Sequence, residues 1–276
     1  FNNDVSFISL VSGKETSHIA VDREPVAAAL TPNGKLLVVA NHLHSGRADA
    51  EHVAARVSLI DTATGKLLKH LDLPNGSGLL NAVSISPNGR YACVTHVLAR
   101  FQLPTTQVER GWINSNALTL IDLDTLSVLN TVLLDNAESG AAYPWACGWS
   151  QDGATLFITH AGTHEVSLID FPGLLAKLAQ LPETLGDRLT PDYAAGSRVK
   201  ADVANDLSFL TGLRERIRLS GKGPRAAVAK GARLYVASFF SDTVEIIDLQ
   251  RSQAPVLLHA RLTADLPMSE TRRGEL

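Results

Sequence analysis

Four times in this 276-residue chain a Gly-led turn opens a strand-like run, and after a loop of variable length a second run closes on Ile-Asp. Asn33-Gly34 leads to Ile60-Asp61, Asn88-Gly89 to Ile121-Asp122, Asp152-Gly153 to Ile169-Asp170, and Gly231 to Ile247-Asp248. Such a recurrence constrains the fold more than any single motif. One supersecondary unit cannot bury its own apolar face, so stacked neighbours must supply the core.

Pro32-Asn33-Gly34, Pro87-Asn88-Gly89 and Gln151-Asp152-Gly153 have the composition of tight turns, since Gly accepts positive φ and Pro presets the entry. Short strands are expected before these turns, over residues 26–30, 82–86 and 145–149, and after them, over 35–41, 91–96 and 155–160. Their Val, Ile, Leu and aromatic residues suit a pleated, half-buried surface. Runs 57–60, 118–121, 166–169 and 244–247 are read as outer strands, each leading on to the inner strand of the next unit. Four strands per unit make an all-β fold, a β-propeller of four-stranded antiparallel blades. The repeated Asp61, Asp122, Asp170 and Asp248 read as strand-ending residues whose carboxylates cap nearby amides.

No apolar stretch approaches the roughly 20 residues of a membrane span, so no membrane insertion is expected. Lys plus Arg number 25 and Asp plus Glu 28, and a net charge of −3 offers no general attraction to phosphate backbones, so nucleic acid is not an expected partner. Short strands near residues 6–10 and 18–21 precede the first unit and residues 255–262 follow the last. The expectation is about four complete blades and two partial ones, an open arc of a seven-bladed ring over residues 1–262, with residues 263–276 as a linker toward a C-terminal domain outside this chain.

The string Leu156-Phe157-Ile158-Thr159-His160 through Val166-Ser167-Leu168-Ile169-Asp170 resembles the YVTN-type repeat, as does Leu234-Tyr235-Val236-Ala237-Ser238 through Asp248. Longer strings are similar to the propeller half of bacterial proteins with a downstream c-type cytochrome, di-haem peroxidase-like domain. These are Arg100-Phe101-Gln102-Leu103-Pro104 through Gly111-Trp112, Asn205-Asp206-Leu207-Ser208-Phe209-Leu210, Gly223-Pro224-Arg225 and Phe240-Ser241-Asp242. Arg272-Arg273-Gly274-Glu275-Leu276 resembles the entry to that haem domain. The resemblance implies an extracytoplasmic location, periplasmic or at the cell surface, and a c-type haem in the C-terminal domain. It also implies a partner that is either that domain or a separate redox protein, with any peroxidase or other oxidoreductase chemistry outside this chain. Covalent c-type haem attachment needs a C-x-x-C-H arrangement, and the chain has only Cys93 and Cys147, so no cofactor is expected within it. The two thiols read as small buried strand residues; a disulfide between neighbouring blades remains open.

The first two copies carry long loops after residues 41 and 96, read as joining third to fourth strands, and insertions gathered on one face of a repeat array often mark a binding face. The first loop holds His42, His44, Arg47, Asp49 and His52; the second holds Arg100, Glu109, Arg110 and Trp112. His96 and His160 occupy one slot of the repeat, where Asn41 and Ser238 stand in the other copies, and His164 and residues 141–145 lie beside them. Three readings compete. The imidazoles, His96 and His160 first, are weak metal-ligand candidates, and a metal-dependent enzyme would use this histidine face. Alternatively Arg and Trp form a docking face for a redox partner, with Arg pairing to haem propionates or acidic residues. In the third reading the polar side chains satisfy loop backbone.

Residues 171–213 form a separate insertion. Leu174, Leu175, Leu178 and Leu181 follow helical spacing between Pro172 and Pro182, which predicts a short amphipathic helix packed on the blades, with a second helix over 202–210. No nucleotide-binding Gly loop and no G-x-S-x-G elbow occurs. The expected function is a non-catalytic propeller module that docks an electron-transfer domain; a stand-alone surface or periplasmic binding propeller is the alternative.

Overall fold

The computed structural model describes residues 2–99, 101, 113–185, 196–250, 256–262 and 270–275. A hairpin of β1 (Asp4–Ile8) and β2 (Glu15–Ala20) precedes four sheets of four antiparallel strands each. Blade I is β3 (Pro25–Leu30), β4 (Leu36–Asn41), β5 (Arg56–Asp61) and β6 (Lys66–Asp72). Blade II is β7 (Ser77–Ile85), β8 (Tyr91–Ala99), β9 (Asn114–Asp122) and β10 (Ser127–Leu133). Blade III is β11 (Pro144–Trp149), β12 (Thr155–His160), β13 (Glu165–Asp170) and β14 (Arg214–Arg218). Blade IV is β15 (Pro224–Lys230), β16 (Arg233–Ser238), β17 (Thr243–Asp248) and β18 (Val256–Arg261). The first strands β3, β7, β11 and β15 neighbour one another in turn, so the sheets stack as the blades of a β-propeller.

Three expectations need correction. The Ile-Asp strands are third in each sheet; β6, β10, β14 and β18 are outermost. Residues 256–261 therefore complete blade IV, and among the described residues the array is four full blades plus the β1–β2 hairpin. The long loops consequently join second to third strands, and the face they share is that of the connections between blades, opposite the Gly turns.

The repeated residues now have physical roles. Ile60, Ile121, Ile169 and Ile247 are each fully buried. Each packs against the preceding unit: Ile60 on Val5 and Phe7, Ile121 on Val38 and Leu59, Ile169 on Cys93 and Leu120, Ile247 on Phe157 and Leu168. Full burial of such a side chain contributes about 1.5–3 kcal/mol. The adjoining aspartates accept from the next connection: Asp61 from the Thr64 amide at 2.7 Å, Asp122 from Asp124 at 2.9 Å, Asp170 from Gly173 at 3.1 Å and Asp248 from Gln250 at 2.9 Å. Gly34, Gly89 and Gly153 close the opposite turns at φ of 71°, 74° and 73°, a region that favours glycine.

The insertion in blade III lies between third and fourth strands, hence on the Gly-turn face. It opens with α1 (Phe171–Ala179), which Asp170 caps and which buries Phe171, Leu174 and Leu178. Phe171 sits edge-on to Tyr91 of blade II at 5.4 Å and to Trp149 of blade III at 5.7 Å. The second expected helix is instead one 3-10 segment, Lys200–Asn205, whose Lys200 carbonyl accepts from Asn130 of β10 at 3.1 Å. A short helix, α2 (Glu270–Glu275), lies within the expected linker.

Candidate functional site at the loop face

Each inner strand begins with the same irregularity. The β-ladder register breaks between Pro25 and Ala27, Gly78 and Ala82, Pro144 and Cys147, and Pro224 and Ala226. Just before or inside each break stands a residue with positive φ: Glu24 at 55°, Leu79 at 53°, Tyr143 at 59° and Gly223 at 65°. An L-residue held there costs roughly 1–2 kcal/mol, and bulges of this kind re-aim side chains. The side chains carried by these breaks are Val26, Asn81, Trp145 and Arg225, at the loop-face end of the inner strands. They connect neighbouring blades: the Asn81 amide donates to the Pro144 carbonyl at 2.9 Å and Thr95 donates to the Trp145 carbonyl at 3.0 Å.

Arg225 is the chemical centre of this rim. Its guanidinium carbon lies 4.5 Å from the Trp145 ring centroid, 4.4 Å from Phe239 and 5.0 Å from Phe240. Three negative ring faces hold the cation by cation–π attraction. Its Nε is buried without a partner, and among the described residues no acceptor or carboxylate pairs with the guanidinium. Phe239 remains 53% exposed, and Tyr143, edge-on to Trp145 at 5.2 Å, is also exposed. Lys222 adds positive charge and, after burial, is the next cause that lowers the His164 pKa. The rim is thus a cationic and aromatic surface with unsatisfied donors, suited to a carboxylate on a flat or acidic partner.

The histidines have other roles. His96 and His160 are completely buried. His96 Nε2 meets Thr119 Oγ1 at 2.8 Å, and Thr119 meets Thr131 Oγ1 at 2.7 Å. His160 Nε2 meets Ser167 Oγ at 2.7 Å and its Nδ1 the Ala141 carbonyl at 3.1 Å. In blade I the same slot holds Asn41, which donates to Ser58 Oγ at 2.9 Å, and Ser58 pairs with His70 Nδ1 at 3.0 Å. In blade IV the relay position carries Glu245, buried, accepting the Ser220 and Gly221 amides at 2.9 and 3.0 Å. These are transverse hydrogen-bond relays inside the blades. Burial lowers the pKa of His96 to about 4, and burial followed by the charges of Arg216 and Arg214 lowers that of His160 to about 3. Both imidazoles are therefore neutral at pH 7, with their ring nitrogens engaged inside separate blades, where sequence placed them on the loop face as metal candidates. Among the described residues no group of three or more His, Cys, Asp or Glu side chains is placed to hold a metal ion.

His42, His44 and His164 do reach the loop face, all half-buried. His42 Nδ1 contacts the Leu80 carbonyl at 2.7 Å, and His164 Nδ1 accepts from the Gly223 amide at 3.1 Å, so both brace connections between blades. Arg47 and Asp49 form a solvent-exposed pair at 2.6 Å. Phe101, which follows β8, is exposed on the same face; Arg100, Glu109, Arg110 and Trp112 lie outside the described residues. Sequence reasoning did not single out Arg225 as a site residue. The available signal was the recurrence of Pro before the inner strands, at Pro25, Pro144 and Pro224.

No family model matches the chain. Hydrazine synthase subunit beta of Kuenenia stuttgartiensis is 24% identical over 228 residues, which are 82% of this chain and 54% of that protein. The solved Kuenenia stuttgartiensis hydrazine synthase superposes with a TM-score of 0.73 at 23% identity, over 89% of this chain and 65% of that one. A functionally unknown protein from Desulfotomaculum acetoxidans DSM 771 gives 0.58 at 14% identity, over 95% and 64%. The dihydro-heme d1 dehydrogenase NirN in complex with DHE gives 0.57 at 14% identity, over 95% and 42%. The chain thus spans about half the length of the curated relative it matches, and its fold is the β-propeller that these structures share.

Proposed function

We propose that this chain is the propeller module of an extracytoplasmic haem protein and serves as a non-catalytic docking scaffold for an electron-transfer domain. The observation that carries this reading is Arg225, held by three aromatic rings with its Nε unpaired among the described residues, on the face that also presents Tyr143, Phe239 and Phe101. Arginine and aromatic residues at a partly desolvated rim are what interface hot spots are made of. One structural neighbour is a dihydro-heme d1 dehydrogenase, which favours haem chemistry nearby, and the curated relative is a subunit of hydrazine synthase, which favours a partner chain. The haem itself does not fit among this chain's residues. A c-type attachment lacks its paired thiols, and the two strand-end imidazoles that could serve as axial ligands are committed to internal relays. It would belong to a C-terminal cytochrome domain or a separate redox protein, whose propionates or acidic side chains meet Arg225.

The test is purification of the complete natural protein and measurement of c-type haem by its pyridine haemochrome spectrum, with and without Arg225→Ala. The expected result is haem in the same polypeptide or in a co-purifying partner, and at least tenfold weaker association in the variant. A complete protein with neither haem nor a haem-bearing partner would leave the stand-alone binding propeller as the better reading.

A further inference from the structure

At the three boundaries between blades I to IV, second-strand residues share an apolar cluster with the inner strand of the following blade. Val38 and Val83 share the apolar cluster at the I–II boundary, Cys93 and Cys147 that at II–III, and Phe157 and Ala227 that at III–IV, each pair at equivalent ladder positions of its blades. At the flanking boundaries this position is filled by apolar side chains; at II–III both partners are thiols, and they are the only two cysteines of the chain. Cys147 Sγ lies 3.7 Å from the Cys93 carbonyl oxygen, and both side chains belong to one apolar cluster. Each is seated in a hydrogen-bonded strand, Cys93 opposite Ser84 and Leu120, Cys147 opposite Ile158. The Cys147 side chain therefore reaches Cys93 across the boundary between two fixed sheets.

We propose that Cys93 and Cys147 are a redox-reversible pair that cross-links blades II and III as a disulfide. The two residues differ in access, which sets the order of events: Cys93 is fully buried, whereas Cys147 is half-buried. Burial, reinforced by its contact with the Cys147 thiol, raises the Cys93 pKa and makes it the poorer first nucleophile. The oxidant is a small-molecule or protein disulfide. The Cys147 thiolate attacks one of its sulfurs and expels the other as a thiolate, leaving a mixed disulfide. The Cys93 thiolate then attacks the Cys147 sulfur and expels the second half. The two protons given up by the cysteines are taken by the two released thiolates, so one protein disulfide forms as one oxidant disulfide is reduced. Because Cys93 must ionise in an apolar site, the second step speeds up as pH rises. Cys147 stands two residues from Trp145 on β11, so the cross-link also pins the strand that carries one wall of the Arg225 box.

The purified full chain is incubated with excess glutathione disulfide, denatured, and its free thiols alkylated and weighed by mass spectrometry. The expected product has no alkylatable thiol, carries no glutathione, and yields a linked peptide pair containing Cys93 and Cys147 that dithiothreitol separates. Cys93→Ser is expected to stop at one glutathione adduct on Cys147, and Cys147→Ser to remain reduced at Cys93. Two alkylatable thiols after oxidation of the wild-type chain, a stable glutathione adduct on it, or a disulfide-linked dimer would each overturn the proposal. The wild-type measurement decides even where a serine variant fails to fold.

Discussion

His160 in the interior of blade III and Arg225 at the rim of blade IV are both polar side chains near the loop face, and they behave in opposite ways. The imidazole has a partner for each ring nitrogen, sits completely buried and is held neutral. The guanidinium is wrapped by aromatic rings, yet its Nε has no hydrogen-bond partner among the described residues. A buried polar group whose hydrogen bonds are complete specifies the fold, while one whose donors are open leaves free energy to be gained on binding. Availability for recognition thus follows from hydrogen-bond saturation rather than from residue type.

The largest test of that contrast is His160→Ala. It strands the Ser167 hydroxyl and the Ala141 carbonyl and opens a cavity, so unfolding in denaturant should show a loss of about 3–4 kcal/mol. Acid should act similarly. The folded pKa values of His96 and His160, about 4 and about 3, lie below the ordinary 6.5, so the unfolded chain takes up protons first. Their contribution is complete above about pH 6.5 and is lost as pH falls toward the folded values, by about 3–4 kcal/mol between pH 6 and 4.5. Stability that is flat over this range would remove the neutral-relay account. His96→Asn, which borrows the side chain that blade I uses in the same slot, should cost about 1–2 kcal/mol at pH 7 and roughly halve the acid slope. Arg225→Ala should change the stability of the isolated chain least, by about 1 kcal/mol, while weakening partner association. A loss as large as that of His160→Ala would make the rim structural and erase the distinction.

The blade pattern was legible because its two signals have simple physical causes. Gly must stand where φ is positive in the turns, and Ile-Asp combines the side chain that packs on the preceding blade with the carboxylate that caps the next connection. The fourth strands carried no such signal. Lys66–Asp72, Ser127–Leu133, Arg214–Arg218 and Val256–Arg261 form sheet edges of dissimilar composition, and Arg214–Arg218 has a single apolar residue. With those strands unseen, the third strands were read as the edge and the long loops were assigned to the wrong pair of strands. The site was less legible for a different reason. A β-bulge is a property of two strands in register, so beyond the recurrent Pro that opens it the Pro-Arg-Ala-Ala-Val-Ala run of β15 does not announce that Arg225 turns into an aromatic box. Equivalent slots were identified correctly for His96 and His160, but the sequence does not reveal that Thr119 and Ser167 wait two residues along the third strand to receive them.

The insertion in blade III ties two blades from outside, since Phe171 bridges Tyr91 and Trp149 and the Lys200 carbonyl is bound by Asn130 of blade II. In an array held together mainly by nearest-neighbour contacts, such a strap makes the middle pair a single cooperative unit. Amide hydrogen exchange should accordingly find the interior strands of blades II and III opening together and last, with blades I and IV fraying from either side before them.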